Sequence, residues 1–178
     1  MGREIERKFR VRSDAWRAQA RAARPIRQGY LVAEPDRSVR VRLAADPDGG
    51  PSEAGTLTIK GPARGAVRDE WEYPIPAPDA RAMLETVCGA RLVEKTRHEV
   101  PAGDRVFEVD EFHGAHRGLV IAEVELDEEG QEPPRPEWLG EEVTHDPRFL
   151  NASLATRPWR EGDGEEDEAG SVERPSPR

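Results

Sequence analysis

The stretch EIERKF at residues 4–9 sets Glu4, Glu6 and Lys8 at i, i+2 and i+4. In a β-strand, side chains at that spacing share one face, and Ile5 and Phe9 take the other. A soluble antiparallel sheet normally turns its charged face to water and packs its apolar face on a core. The same alternation recurs along most of this chain, so the fold depends on which face is inside.

Working outward from this stretch, period-2 alternation predicts eight strands, at 4–11, 26–33, 38–45, 56–61, 67–75, 91–100, 104–112 and 119–127. In the third, Val39, Val41 and Leu43 lie opposite Arg40 and Arg42. In the fourth, Leu57 and Ile59 lie opposite Thr58 and Lys60, and in the fifth, Trp71, Tyr73 and Ile75 lie opposite Arg68, Glu70 and Glu72. The sixth carries Val93, Lys95 and Arg97 on one face. The seventh sets Glu108 and Asp110 against Phe107 and Val109, and the eighth sets Glu123 and Glu125 against Ala122, Val124 and Leu126. Helices are expected at 14–23, with Asp14 as N-cap, for about ten residues from Asp79, burying Met83, Leu84 and Val87, and at 147–155. The run 46–55, rich in Asp, Pro and Gly, reads as a turn.

Two architectures fit this pattern. In one, an antiparallel sheet shows its charged face to solvent and packs its apolar face on the helices. In the other, the eight strands close into a barrel with charges inside and apolar faces outward under the helices, eight being enough to close one. The charged faces together hold seven bases (Lys8, Arg40, Arg42, Lys60, Arg68, Lys95, Arg97) and eight acids (Glu4, Glu6, Glu70, Glu72, Glu108, Asp110, Glu123, Glu125). As a lining, such a set is costly without a counter-charge, unless the acids serve only as ion-pair partners. A polyphosphate with a divalent cation is one complement. Arg and Lys hold phosphate oxygens, and paired carboxylates suit Mg2+ or Mn2+.

Composition narrows the rest. The chain has 178 residues, enough for one domain with a core, and equal hydrophobic and charged fractions of 35%. Residues 161–178 carry seven acids and two bases with no aromatic residue, so they read as a disordered acidic tail after a domain at 1–160. That domain holds 29 acids against 25 bases, a near balance that gives no reason to expect nucleic acid. Cys88 is the single cysteine, which excludes a disulfide framework and reads as a buried thiol. With no apolar leader and no run near 18 apolar residues, the expectation is a cytoplasmic protein with no membrane partner. His98 faces away from Lys95 and Arg97 and reads as a surface or packing residue, and His113, His116 and His145 fall in turns or loops. Gly29, Gly61 and Gly114 are expected at bends and turns, and no Walker-type or Rossmann-type glycine pattern is present.

EIERKF also resembles the E-x-E-x-K signature of the CYTH domain, the triphosphate tunnel metalloenzyme superfamily. The resemblance continues in order through RQGYL (27–31), VRVRL (39–43), TLTIK (56–60), EWEY (70–73), VEKTR (93–97), FEVDEF (107–112), AEVEL (122–126) and GEEVTHDPRFLNASLA (140–155). It implies the closed eight-stranded antiparallel barrel, a tunnel whose bases grip a triphosphate and whose acids hold divalent metal, Mg2+ or Mn2+. Carried over, Glu4, Glu6, Glu123 and Glu125 would be metal carboxylates, with Glu70, Glu72, Glu108 and Asp110 holding a second metal or orienting bases. Lys8, Arg40, Arg42, Lys60, Lys95 and Arg97 would grip phosphate, and Arg68 joins them on its face. Tyr30 and Lys60 resemble a tyrosine–lysine pair that positions the attacking water; Tyr30 otherwise reads as a wall residue hydrogen-bonded to the lining. The activity implied is metal-dependent hydrolysis of inorganic tripolyphosphate. The rivals are thiamine triphosphatase or adenylate cyclase chemistry, and a non-catalytic polyphosphate-binding module.

Overall fold

The structure, a computed structural model, describes residues 2–34, 36–46, 52–64 and 67–160, with side chains at 5–34, 36–46, 52–62 and 68–160. The expected tail at 161–178 and residues 47–51 of the expected turn lie outside the described residues. Among the described residues, nine strands form one antiparallel sheet: β1 (Gly2–Val11), β2 (Ala22–Glu34), β3 (Arg37–Ala45), β4 (Glu53–Arg64), β5 (Val67–Ile75), β6 (Leu92–Ala102), β7 (Arg105–Phe112), β8 (Val120–Glu125) and β9 (Leu139–Glu142). Their order is β5-β4-β3-β2-β6-β7-β8-β1-β9. β1 is shared among three partners. Glu6–Arg10 pair with β8, Gly2–Ile5 pair with β5, and Phe9 and Val11 pair with β9. The two strands at opposite ends of the β5-to-β8 series thus both meet β1.

All eight expected strands are present, and the ninth, LGEE, is an addition: four residues carry too few alternations to register as a strand. The expected helix at 14–23 is a 3₁₀ turn, Asp14–Gln19, which anchors Trp16. Ala22 and Ala23 instead join β2, because β6 runs far enough to pair them with Glu99 and His98. Ser13, not Asp14, sits at the cap and makes no side-chain bond there, while Asp14 accepts from Arg17 Nε at 3.2 Å. The helix expected from Asp79 begins at Ala77, as α1 (Ala77–Thr86), with proline in its first turn, where the missing N–H costs nothing. Leu84 is buried and Met83 partly so, but Val87 is exposed, since it follows the last turn and points off the packed face. The expected C-terminal helix divides into a 3₁₀ turn, Pro147–Phe149, and α2 (Asn151–Leu154).

Packing decides between the two faces. Ile5, Phe9, Val100, Phe107, Val109, Ala122 and Val124 form a core with Trp16 and with Trp138 from the segment before β9. Val41 and Leu43 of β3 pack under Ala80 and Leu84 of α1, with Cys88 beyond its end. The apolar faces are therefore covered by the helical and irregular segments. On the opposite faces, Lys8, Arg40, Lys95, Arg97, Asp110 and Glu123 are buried as well. A sheet with its charged face in bulk solvent does not fit these side chains. Toward one end that face turns apolar, where Tyr30, Val93, Phe112 and Ile121 pack with Phe149 and Leu154 of the C-terminal segment. Gly29 is required by a close approach rather than a bend: a Cβ there would stand 2.7 Å from the Cys88 side chain. Among the described residues no helix is long and apolar enough to cross a membrane.

Candidate active site

Strand alternation delivers the charged side chains to one place. Glu6 and Lys8 from β1, Arg40 and Arg42 from β3 and Lys60 from β4 line a cavity of about 220 Å³. Glu70 and Glu72 from β5, Arg97 from β6, Glu108 from β7, and Glu123 and Glu125 from β8 complete its strand walls. Asn151, the first residue of α2, joins them. Every lining residue is charged except this asparagine. Lys95 and Asp110 stand behind the wall, 1% and 0% exposed. Arg68 is half-buried and outside the lining, and Glu4, whose Cα pairs with that of Arg68, has its side chain outside the described residues.

A continuous run of ion pairs links one wall. Lys8 Nζ meets Glu6 at 2.7 Å and bonds Glu123, whose other oxygen accepts from Arg97 Nη2 at 2.7 Å. Arg97 also grips Asp110 with Nε and Nη2, both at 2.7 Å, and reaches Glu108 with Nη1. Lys95 closes the run, bonding Asp110 and donating to Asn151 Oδ1 at 3.3 Å. On the opposite wall, Lys60 pairs with Glu70 at 2.6 Å. Arg40 donates to Thr58 Oγ1 at 3.2 Å. The buried Nε atoms of Arg40 and Arg42 have no hydrogen-bond partner among the described residues.

The electrostatics follow from this division. Burial opposes ionisation of Glu123 and Asp110, yet Lys8, Lys95 and Arg97 around Glu123, and Arg97 and Lys95 around Asp110, hold both carboxyls below their usual range. Burial likewise works against the Lys8 ammonium, but Glu123 and Glu6 raise its pKa above the ordinary lysine value. Arg97 is raised in the same way against its burial, by Asp110, Glu123 and Glu108. For Lys95 burial prevails, with Arg97 and Arg42 adding to it, and the pKa falls to about 8. Arg42 is lowered to about 10, by burial and then by Arg40 and Arg97. Burial raises the Tyr30 phenol although Arg40, Lys60, Lys8 and Arg42 pull the other way, so Tyr30 keeps its proton and remains a donor.

A second cavity, of about 310 Å³, adjoins the first and shares Glu6, Glu108, Glu123 and Glu125 with it. Glu99, Val106 and Val124 complete its lining, so it holds five carboxylates and no base. Such oxygen donors suit a hard divalent cation. Among the described residues, however, no three acidic, histidine or cysteine side chains already converge on a cation site. Lys8 and Arg97 occupy the carboxylates instead.

Sequence reasoning missed Asn151 and Gln28. Asn151 reads as an ordinary helix-start residue, and no strand alternation points to it. Gln28 sits in RQGYL two residues before Tyr30, and that spacing was its signal. It is wholly buried, with neither amide atom partnered among the described residues. His98 packs its ring 4.8 Å from that of Trp16, and Tyr73 is exposed on the outer face.

The fold and lining have counterparts among known proteins. An inorganic triphosphatase of Acetivibrio thermocellus is 43% identical over 160 residues, spanning 90% of this chain and 97% of that protein. Another, of Nitrosomonas europaea, is 38% identical over 156 residues, spanning 85% and 96%. The crystal structure of the inorganic triphosphatase NE1496 superposes with a TM-score of 0.60 and 32% identity, covering 88% of this chain and 97% of its own. The sequence profile of the CYTH domain matches residues 2–158, and with these relatives it shows that the chain belongs to the CYTH family.

Proposed function

We propose that the chain is a metal-dependent triphosphatase that hydrolyses inorganic tripolyphosphate. One observation carries this reading. Buried guanidinium N–H groups on Arg40 and Arg42, unpartnered among the described residues, share a wholly polar cavity with a set of carboxylates. Anion grips and cation donors in one small cavity complement a polyanion carrying a hard cation. The relatives named inorganic triphosphatase favour an inorganic substrate over a nucleotide or thiamine ester.

In this reading the sheet closes around the cavity as an eight-stranded tunnel, and the pairing of β1 with both β8 and β5 supports closure. Arg40, Arg42, Lys8, Lys60 and Arg97 hold phosphate oxygens, with Lys95 adding charge from behind. A water oxygen bonds to a terminal phosphorus as the bridging P–O bond breaks, giving phosphate and pyrophosphate. Tyr30, whose buried phenol keeps its proton, is with Lys60 the pair that orients that water. Glu6, Glu123 and Glu125, with Glu4, are the carboxylates for the metal, and Glu70, Glu72, Glu108 and Asp110 hold a second metal or orient the bases. Mg2+ or Mn2+, when bound, supplies positive charge to the phosphate oxygens and polarises the phosphoryl group. As Glu6 and Glu123 turn to a cation, Lys8 and Arg97 turn to phosphate, so charges re-pair rather than stand alone.

The test is a parallel assay of tripolyphosphate, ATP and thiamine triphosphate with Mg2+, Mn2+ or chelator, following phosphate and cyclic AMP. Metal-dependent phosphate release that favours tripolyphosphate is the expected result. Cyclic AMP from ATP would replace the hydrolase with a cyclase, and binding without turnover would replace it with a capture module.

A further inference from the structure

Gln28 is the least explained polar residue in the interior. Its side chain is 0% exposed, and both its amide oxygen and its amide nitrogen lack a hydrogen-bond partner among the described residues. An unpaired buried amide is costly, and native proteins rarely keep one without a use for it. Across the β2–β3 ladder, the residue directly opposite Gln28 is Arg42. Arg42 Nε is itself buried and unpartnered among the described residues. An unused acceptor and an unused donor therefore stand on one cross-strand pair.

The two atoms are within reach of each other. Cβ atoms of directly opposed antiparallel residues lie about 5 Å apart. Gln Oε1 and Arg Nε each sit three bonds beyond Cβ, so a change of rotamer brings them to hydrogen-bond distance of about 3 Å. Arg40 and Arg97 oppose the charge on Arg42, while Glu72 and Asp110 favour it. A phosphate anion between these bases removes the repulsion and gives the terminal NH2 groups a partner.

We propose that Gln28 is a positioning residue for Arg42: with a triphosphate bound, its amide oxygen accepts the Arg42 Nε–H and fixes the guanidinium plane toward the phosphate. The assignment rests on the triphosphate reading of the cavity. Gln28 lies outside the cavity lining, so it acts through Arg42 rather than on the substrate. The residue then serves the loaded state at the expense of the empty one, the reverse of a structural glutamine.

Gln28→Met keeps the shape and removes both polar atoms, and two measurements on it decide the matter. The first is the melting temperature of the ligand-free protein, expected to stay level or rise, since two unpaired buried atoms are gone. The second is calorimetric affinity for imidotriphosphate (bridging oxygens replaced by NH to prevent turnover) with Mg2+. It is expected to weaken about tenfold, as for loss of a hydrogen bond to a charged group. In an Arg42→Lys background, which has no Nε–H, Gln28→Met is expected to change affinity less than about twofold, the pair's coupling being already absent. A lowered melting temperature or failure to fold would make the amide structural and overturn the proposal. So would unchanged affinity, or an equal loss in both backgrounds. Wild-type protein that binds no imidotriphosphate would overturn the triphosphate reading itself, and this inference with it.

Discussion

Cationic side chains in the cavity differ in what holds them. Lys8 is caged between Glu6 and Glu123, whereas Arg42 carries its charge against burial and against Arg40 and Arg97, with a buried Nε unpartnered among the described residues. The same deletion of charge therefore has unequal consequences for stability. Lys8→Met takes a partner from Glu6 and leaves buried Glu123 to Arg97 alone, and breaking a buried ion pair by removing one partner costs on the order of 3 kcal/mol. Arg42→Met removes a charge held against burial and against Arg40 and Arg97, so it should cost under about 1 kcal/mol in the ligand-free protein. Both variants should lower kcat at least about a hundredfold, as loss of one charge-stabilising donor does. Urea unfolding without ligand, beside phosphate release from tripolyphosphate, checks the contrast. Equal destabilisation by the two substitutions would show that caged and uncaged bases are not distinct.

β9 shows how a short element is held when its own pairing is slight. Glu142 of β9 accepts from Arg7 Nε at 2.8 Å, and the Arg7 Nη2 bonds its second oxygen, a two-pronged grip on the outer face of β1. Thr144 donates to Glu142 at 2.7 Å and accepts from the Lys8 backbone N–H at 3.1 Å. Arg7, then burial against it, then Thr144 set the Glu142 carboxyl at about 2, below its ordinary 4.5. A depressed acid contributes stability that is full above the unfolded value and is lost as the pH falls from 4.5 toward 2. Glu142 is partly exposed, so screening holds the effect to about 1 kcal/mol. Glu142→Gln should lower the melting temperature at pH 6, and the gap to wild type should close as the pH drops below 4.5. A gap that stays constant with pH would mean that the grip is not ionic. This clasp is not legible in the sequence, because Arg7 lies on the face that Ile5 and Phe9 mark as apolar and LGEE has no periodicity to read. Helix ends failed for a related reason: Trp16 alone anchors Asp14–Gln19, and one apolar residue cannot distinguish a 3₁₀ turn from a longer helix.

At the scale of the molecule, alternation was legible and its direction was not. Arg40 and Arg42 against Val41 and Leu43 read as a strand under either architecture, since period two reports that faces differ and not which one is buried. Burial of Lys95 and Asp110 settles it, and that depends on contacts between β6, β7 and α2 that no local pattern encodes. Gln28 and Asn151 stayed hidden because they are neutral, and the charge pattern was the signal. The charged cavity also makes a prediction for the whole protein. A cation alone meets Lys8, Arg42 and Arg97, and an anion alone meets Glu6, Glu72 and Glu123, so each ligand by itself is repelled by part of the lining. Together they neutralise each other and both halves of the wall. Ligand at a hundred times its Kd adds about 2.7 kcal/mol. For a domain of this size that raises the melting temperature by roughly 5–10 °C. Imidotriphosphate with Mg2+ should therefore shift the transition by that amount, and more than the sum of the shifts from either alone. Calorimetric scans of the four combinations measure it directly. A full shift from imidotriphosphate in chelator would mean that the bases bind the anion without help, leaving the carboxylates with no part in ligand binding.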